Sequence, residues 1–504
     1  MQWLIKLFGA LLSPTAKQFN RALSQPQVAQ QALQQYLVQQ LSNSDYGQHL
    51  GITSIDDWQK IPVVTYDNLK SWIDNQHTLT PDPILFYEQT SGSRGPAKRI
   101  PYTRALRKSF NSLFCIWAHD LITHGPTFKT GKVYMCISPK LLAPGETNDG
   151  LQDDADYLDP WLRLLLKPFL VLPPDAHKPQ APEVFQANLC KTLLLTENLE
   201  IISIWSPSFL TVQLDYIQTH RERLRAELGH QLSAQRSQLL THQTIDWEAL
   251  WPQLKLISCW DSAMAADQVS GLRKQFPTTL IQGKGLLATE APMTVPLMAA
   301  QGCVPLVNEI FFEFEDDAGG LHLLHELELG QTYGVIISQK GGLYRYRMGD
   351  RIQPTHMYRG TPGLSSGTPC LRFVGRSHTT SDLVGEKLTL DFVSQVLAQL
   401  DLPPHSFKCL VSSLSPGPHY CLLTDHTSVS ATHLSQALDP LLCQSFHYRQ
   451  ARLLGQLQPV QVYASPNVLQ QLMQYHYQQG KRMGDVKYPQ LLTPPMDSIE
   501  RLLN

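Results

Sequence analysis

Thr90-Ser91-Gly92-Ser93-Arg94-Gly95-Pro96-Ala97-Lys98 follows the apolar run Ile84-Leu85-Phe86-Tyr87 and leads into Arg99-Ile100-Pro101-Tyr102-Thr103. Two strand-like runs around a segment rich in glycine and hydroxyls predict a strand, turn, strand unit. Gly92 and Gly95 let the backbone turn tightly and bring N–H groups to an anion. The hydroxyls of Thr90, Ser91 and Ser93 add donors, and Lys98 supplies a point charge. The segment therefore reads as a phosphate-binding loop, with a solvated turn as the alternative. It is not a Walker A loop, because its glycines stand too close together and the Lys does not directly follow the second one.

The chain has 504 residues, so more than one domain is expected. Hydrophobic residues make up 42% and charged residues 17%, a globular rather than a disordered composition. With 41 Lys+Arg against 43 Asp+Glu, no overall basic field recruits nucleic acid or anionic lipid. The nine cysteines form no C-x-x-C or metal-finger pattern, which points to a reducing, cytoplasmic setting. Met1 to Leu12 is read as an amphipathic helix docked on the protein body, with weak membrane contact as the other option. No run approaches the roughly 18 apolar residues of a spanning helix.

Helices are expected over Phe19–Leu41, Arg104–Leu121 and Leu390–Leu400, and an exposed helical hairpin over Arg221–His242. Val133–Ile137, Ile201–Trp205, Leu254–Trp260 and Leu321–Leu329 read as strands. The acidic segment from Gly145 to Asp156 lacks the order of a calcium loop and is read as solvated. His322 and His325 would face opposite ways on their strand, so no metal site is expected there.

Three further stretches carry chemistry. Thr279-Leu280-Ile281-Gln282-Gly283-Lys284-Gly285-Leu286-Leu287-Ala288-Thr289-Glu290 takes a strand into a glycine-flanked turn, where a carboxylate could hold Mg²⁺. Gly341-Gly342-Leu343-Tyr344-Arg345-Tyr346-Arg347-Met348-Gly349-Asp350 reads as a strand with two distinct faces. Its Asp350 suits the paired hydroxyls of a ribose, and the plainer reading is an edge strand whose arginines pair with acids. Gly484-Asp485-Val486-Lys487-Tyr488-Pro489 puts Lys487 on a loop.

In this order the stretches resemble the adenylate-forming superfamily of acyl-CoA synthetases, luciferases and peptide-synthetase adenylation domains. More closely, the chain resembles a bacterial member of the auxin-responsive acyl-acid amido synthetase family. The matching residues are Thr90 to Lys98, Thr289-Glu290, Tyr346 to Asp350, and Gly375-Arg376 at a hinge. The resemblance implies an α/β fold: a large N-terminal domain with mixed sheets (1–374), a hinge (375–378) and a smaller α+β domain (379–504).

It further implies ATP-dependent adenylation of a carboxylic acid, then acyl transfer to an amine, an amino acid above all, with release of AMP and pyrophosphate. A thiol acceptor such as coenzyme A and a non-catalytic acyl or nucleotide binder are the rivals. The implied ATP site comprises Thr90, Ser91, Gly92, Ser93, Gly95, Lys98, Gly283, Thr289, Asp350 and Arg376. Glu290 is the implied Mg²⁺ ligand. Lys487, Glu290 and Lys98 are the implied catalytic residues, with Lys481 the rival for the mobile lysine. Leu286 stands where many relatives have an adenine-stacking aromatic. His378 and Asp382 replace the usual hinge residues. Trp161 and Arg163 are candidates for the acyl pocket.

Overall fold

The computed structural model describes residues 1–75, 78–89, 98–135, 158–174, 182–262, 265–360, 367–376, 380–381, 383, 386, 388–413, 417–453, 457–478 and 490–492. Both strands expected around the glycine-rich segment are present: β1 (Ile84–Gln89) pairs antiparallel with β2 (Arg99–Thr103), with Gln89 opposite Arg99. Thr103 then caps the helix Arg104–His124 by accepting from the Leu106 N–H at 3.2 Å. The reading of one helix over Phe19–Leu41 is corrected to two, Gln2–Ser24 and Pro26–Ser42. Pro26 lacks an N–H, so it starts a helix and cannot continue one. The first helix buries Ile5, Phe8, Leu12, Ala16 and Phe19 while Trp3, Leu7 and Leu11 stay exposed. Among the described residues no helix is long and apolar enough to cross a membrane.

A parallel four-stranded sheet follows, in the order β3 (Lys132–Met135), β4 (Leu199–Ser203), β5 (Leu256–Cys259) and β6 (Leu280–Gly283). Parallel neighbours need crossovers, supplied here by the helices Pro182–Leu195, Pro207–Thr219 and Ala265–Gln275 among others. β4 and β5 are buried along their whole length, as strands covered on both faces must be. The segment read as an exposed hairpin, Arg221–His242, is not fully exposed. Leu224, Leu228, Leu232 and Leu240 are buried, and Arg236 is buried with its guanidinium donating to the carbonyls of Leu194, Thr196 and Leu250.

Short pairs β7 (Leu287–Ala288) with β8 (Ala291–Pro292), and β9 (Thr294–Leu297) with β10 (Gly302–Pro305), lead into a five-stranded antiparallel sheet. Its order is β12 (Leu321–Leu323), β11 (Ile310–Glu315), β13 (Tyr333–Gln339), β14 (Tyr346–Tyr358), β15 (Thr368–Arg376). Two expectations are corrected here. The strand read over Leu321–Leu329 ends at Leu323 and gives way to a 3-10 turn, Leu324–Glu326. β14 starts only at Tyr346, and it lies between β13 and β15 rather than at an edge. The turn before it holds Arg345 at φ 44°.

The C-terminal sheet mixes directions: β19 (His419–Thr424) runs antiparallel to β18 (Lys408–Ser413), and β20 (Gln461–Ala464) and β21 (Leu491–Leu492) add parallel edges. A short pair, β16 (Thr380–Ser381) with β17 (Leu388–Thr389), precedes it. Alternation splits its side chains between two cores. Leu410, Tyr420 and Leu422 join the helices of the C-terminal part. Cys409, Val411, Cys421 and Leu423 join the core of the parallel-sheet region.

Two buried charges organise the interior. The Arg345 guanidinium forms a two-pronged pair with Glu313 at 2.9 Å, both side chains nearly inaccessible, and donates to the Ile61 carbonyl at 2.8 Å. Arg345→Met leaves the Glu313 carboxylate buried and unpaired and is expected to cost about 3–5 kcal/mol. Arg345→Met combined with Glu313→Leu is expected to lose far less, as read from thermal unfolding midpoints. Equal losses in the single and double variants would contradict the pairing account.

Glu200, fully buried in β4, accepts from the backbone N–H groups of Lys129, Thr130 and Gly131 at 2.7 to 3.0 Å and from Lys255. Burial alone would raise its pKa, but these donors outweigh burial and hold it below the ordinary 4.5. A lowered carboxylate pKa gives stability that is present above 4.5 and is lost as pH falls through the folded-state value. Glu200→Gln should therefore lower the unfolding midpoint at neutral pH and flatten its fall in acid; an unchanged acid slope would refute this.

Candidate active site

The sheet and turn geometry brings three of the sequence stretches together. Lys98, the residue that closes the glycine-rich loop, lies beside β14: its Nζ donates to the Tyr346 hydroxyl at 3.3 Å. The same ammonium sits 5.8 Å from the Tyr66 ring centroid and 5.9 Å from that of Tyr346. Tyr66 also accepts from the Arg99 N–H at 2.9 Å, and the Arg99 guanidinium lies 4.5 Å from the Tyr87 ring centroid. The returning arm of the loop is thus clamped by tyrosines. Among the described residues no carboxylate pairs with Lys98. Thr90, Ser91, Gly92, Ser93 and Gly95 lie outside the described residues.

The second stretch is tied to the first through β2. Tyr102, fully buried and stacked between Phe86 and Phe110 at 5.0 and 5.7 Å, donates its hydroxyl proton to the Thr289 carbonyl at 2.7 Å. Gln339, at the end of β13, donates to the Glu290 carbonyl at 3.3 Å. Both ends of the Thr289-Glu290 unit are therefore hydrogen-bonded to neighbouring strands, and the Glu290 residue is only 9% exposed. Upstream, Gly283 is backed by the Asp261 carboxylate so closely that a Cβ there would meet it at 2.3 Å. Only glycine fits. Leu286, which stands where many relatives have an adenine-stacking aromatic, is buried in the core that also holds Met293 and Val295.

Asp350 lies within β14 at 5% exposure, opposite Arg376 of β15 in the antiparallel register. Two residues called from separate motifs are thus adjacent, although only the backbone of Arg376 is described. Gly349 before Asp350 has φ 75°, a backbone that other residues rarely adopt. The arginines of this stretch follow the plainer reading: Arg345 pairs with Glu313, and Arg347 with Glu315 at 2.6 Å. They anchor the strand. Lys487, Lys481, His378 and Asp382 lie outside the described residues.

Other expectations resolve more simply. His322 pairs with Asp316 at 2.7 Å, and among the described residues no group of His, Cys, Asp and Glu could hold a metal by itself. A single buried carboxylate such as Glu290 fits the other mode, in which Mg²⁺ arrives bound to phosphates and keeps most of its waters. Trp161 is 47% exposed, and Arg163 donates to the Leu158 carbonyl beside its own helix. The eight described cysteines are free, and burial pushes several up, Cys115 to about 12 and Cys370 to about 11, so they are poor nucleophiles. Sequence reading missed Tyr66, Tyr102 and Gln339 as supports of the site. Their contacts join positions far apart in the chain, and no local pattern marks them.

Similarity to known proteins agrees with this geometry. The GH3 family N-terminal domain matches residues 15–240, the GH3 family central domain residues 303–376 and the GH3 family C-terminal domain residues 390–495. Indole-3-acetic acid-amido synthetase GH3.3 of Arabidopsis thaliana is 20% identical over 540 residues, covering 91% of this chain and 88% of its own. Jasmonoyl--L-amino acid synthetase JAR6 of Nicotiana attenuata is 23% identical over 234 residues, covering 42% of this chain and 39% of its own. Of solved structures, a GH3.15 acyl acid amido synthetase superposes with a TM-score of 0.74 at 18% identity, over 96% of this chain and 95% of that one. A 2-hydroxyisobutyryl-CoA ligase in complex with an acyl-AMP does so at 0.53 and 13% identity, over 95% and 91%. These likenesses show the fold, a large N-terminal α/β part followed by a smaller C-terminal one. With three consecutive domains matched along most of its length, the chain belongs to the GH3 family.

Proposed function

We propose that this protein is an ATP-dependent acid–amino acid ligase that joins a carboxylic acid to an amine through an acyl-adenylate. The observation that carries the reading is the convergence on one site of Lys98 beside Tyr346, Thr289-Glu290 tied to Tyr102 and Gln339, and Asp350 facing Arg376 across the sheet. In the first step a carboxylate oxygen attacks the α-phosphorus of ATP and pyrophosphate leaves. In the second an amine nitrogen attacks the activated carbonyl, a C–N bond forms, and AMP leaves with the C–O bond electrons.

Each residue has a physical task. Lys98, held by hydroxyl and ring faces rather than by an acid, offers its charge to the β- and γ-phosphates, with the N–H and hydroxyl donors of Thr90, Ser91, Gly92, Ser93 and Gly95. Thr289 faces the α-phosphate, and Glu290 would hold the Mg²⁺ that accompanies ATP, which would offset the phosphate charge. Asp350 takes the ribose hydroxyls as charge-assisted donors. Gly283 shapes the strand end, and Arg376 flanks the nucleotide. Lys487, or Lys481 in its place, supplies a cation to the transition state, where one pre-placed charge contributes roughly 3 to 4 kcal/mol. Domain rotation about residues 375–378 exchanges the two half-reactions. The setting is cytoplasmic.

Carboxylate-dependent exchange of pyrophosphate into ATP over a broad acid panel tests the first step. Lys98→Ala and Lys487→Ala should each slow exchange roughly 100-fold. Asp350→Ala should raise the KM for ATP roughly ten-fold with a smaller change in the KM for the acid. Exchange that persists unchanged in all three variants would refute the assigned site. Supplying amino acids or coenzyme A to the adenylating enzyme then separates amide from thioester formation.

A further inference from the structure

The first helix, Gln2–Ser24, has two faces, and neither carries a residue assigned to adenylation. At 3.6 residues per turn, Ile5, Phe8, Leu12, Ala16 and Phe19 fall on one side and are buried. Trp3, Leu7 and Leu11, spaced four apart, fall on the opposite side and stand 66%, 48% and 49% exposed. An indole and two leucines in one row over two turns are not what an ordinary wet helix face carries. Lys6 and Lys17 are exposed along one flank of this row, and Arg21 is exposed further along the helix.

The surroundings enlarge this surface. The Phe8 ring lies 5.8 Å from that of Phe169, and a Cβ on Gly131 would stand 3.4 Å from Ile5 and 2.9 Å from Phe169. The first turns of the helix therefore abut residues 129–132 and the end of the short helix Pro160–Leu166, whose Leu162 and Leu166 share their core. That short helix leaves Leu164 71% exposed, with Lys167 exposed just after it. Lys129 is exposed, and Lys132 donates to the Pro168 carbonyl at 3.0 Å.

Charge selects the occupant. The sequence has no Asp or Glu before Asp45, whereas Lys6, Lys17 and Arg21 all lie in the first helix. Among the described residues none of these three forms an ion pair. A second copy of the chain would set a row of one sign against itself, and like charges across an interface repel. An anionic lipid surface complements all three features: cations meet headgroup phosphates, indoles settle at the headgroup level, and leucines enter the acyl boundary. The helix is not apolar enough to cross, so it would lie in the plane.

We propose that the outer face of the helix Gln2–Ser24 docks the protein on anionic lipid, with Trp3, Leu7 and Leu11 entering the headgroup boundary and Lys6, Lys17 and Arg21 facing the phosphates. So few apolar side chains give reversible binding and no permanent anchor. Flotation of the full-length protein tests this, with phosphatidylcholine vesicles containing about one third phosphatidylglycerol and with phosphatidylcholine alone. Binding to the anionic vesicles should be at least roughly ten-fold stronger and should fall as salt rises. Lys6→Gln with Lys17→Gln should weaken it on the order of 20-fold. Trp3→Gln, Leu7→Gln and Leu11→Gln together should weaken it at least roughly ten-fold with the unfolding midpoint unchanged, because none of the three lies in the core.

The lysine pair decides the question if the triple variant is unstable. No binding to either vesicle, equal binding to both, or undiminished binding of the variants would overturn the proposal. Dimerisation without lipid that the triple variant abolishes would give this face to a second copy, and would overturn it as well.

Discussion

The buried pair between Arg345 and Glu313 is the constraint from which the site geometry follows. Arg345 sits at a positive φ, with its guanidinium shared between Glu313 of β11 and the Ile61 carbonyl. That fixes the turn immediately before β14 and draws in the segment around Val64, whose backbone pairs with Arg345 and Arg347 at 3.0 and 2.8 Å. Tyr346 then emerges next to Lys98, and Asp350 follows in register with Arg376. A buried ion pair contributes little net stability against a well-packed apolar substitute. Here its value is positional, because a turn with two desolvated partners has one acceptable arrangement.

The two lysines of the site share a design. Lys98 is held by a tyrosine hydroxyl and two tyrosine rings, and Lys284 by a serine hydroxyl and two indoles. Aromatic faces and hydroxyls orient an ammonium without adding a formal negative charge. Lys98 stands at the loop proposed for phosphates, and Lys284 at the ends of the parallel strands. Glu290 and Asp350 supply the carboxylates that a metal ion and sugar hydroxyls would need as acceptors.

Local pattern carried much of this far. The pairing of β1 with β2, the buried runs of β4 and β5, and the helix Arg104–His124 were legible because period acts over a few residues. The break at Pro26, the short β12 and the late start of β14 were not. Pro26 sits inside a helical pattern that continues on both sides of it, while β12 and β14 are set by pairing partners, which a strand's own sequence does not name. The same holds for the site. Lys98, Glu290 and Asp350 stand out at turns and strand ends, but Tyr66, Tyr102, Gln339 and Trp117 act through contacts more than thirty residues away in sequence.

The central claim is that this GH3 chain makes an amide through an AMP-forming step, and product analysis tests it most directly. The protein would be incubated with Mg·ATP, an acid that supports exchange and an amino-acid mixture, and the products resolved by mass spectrometry. The account predicts an N-acyl amino acid formed in equal amount to AMP. Formation of ADP and phosphate, or a thioester with coenzyme A and no amide under any amino acid, would contradict it.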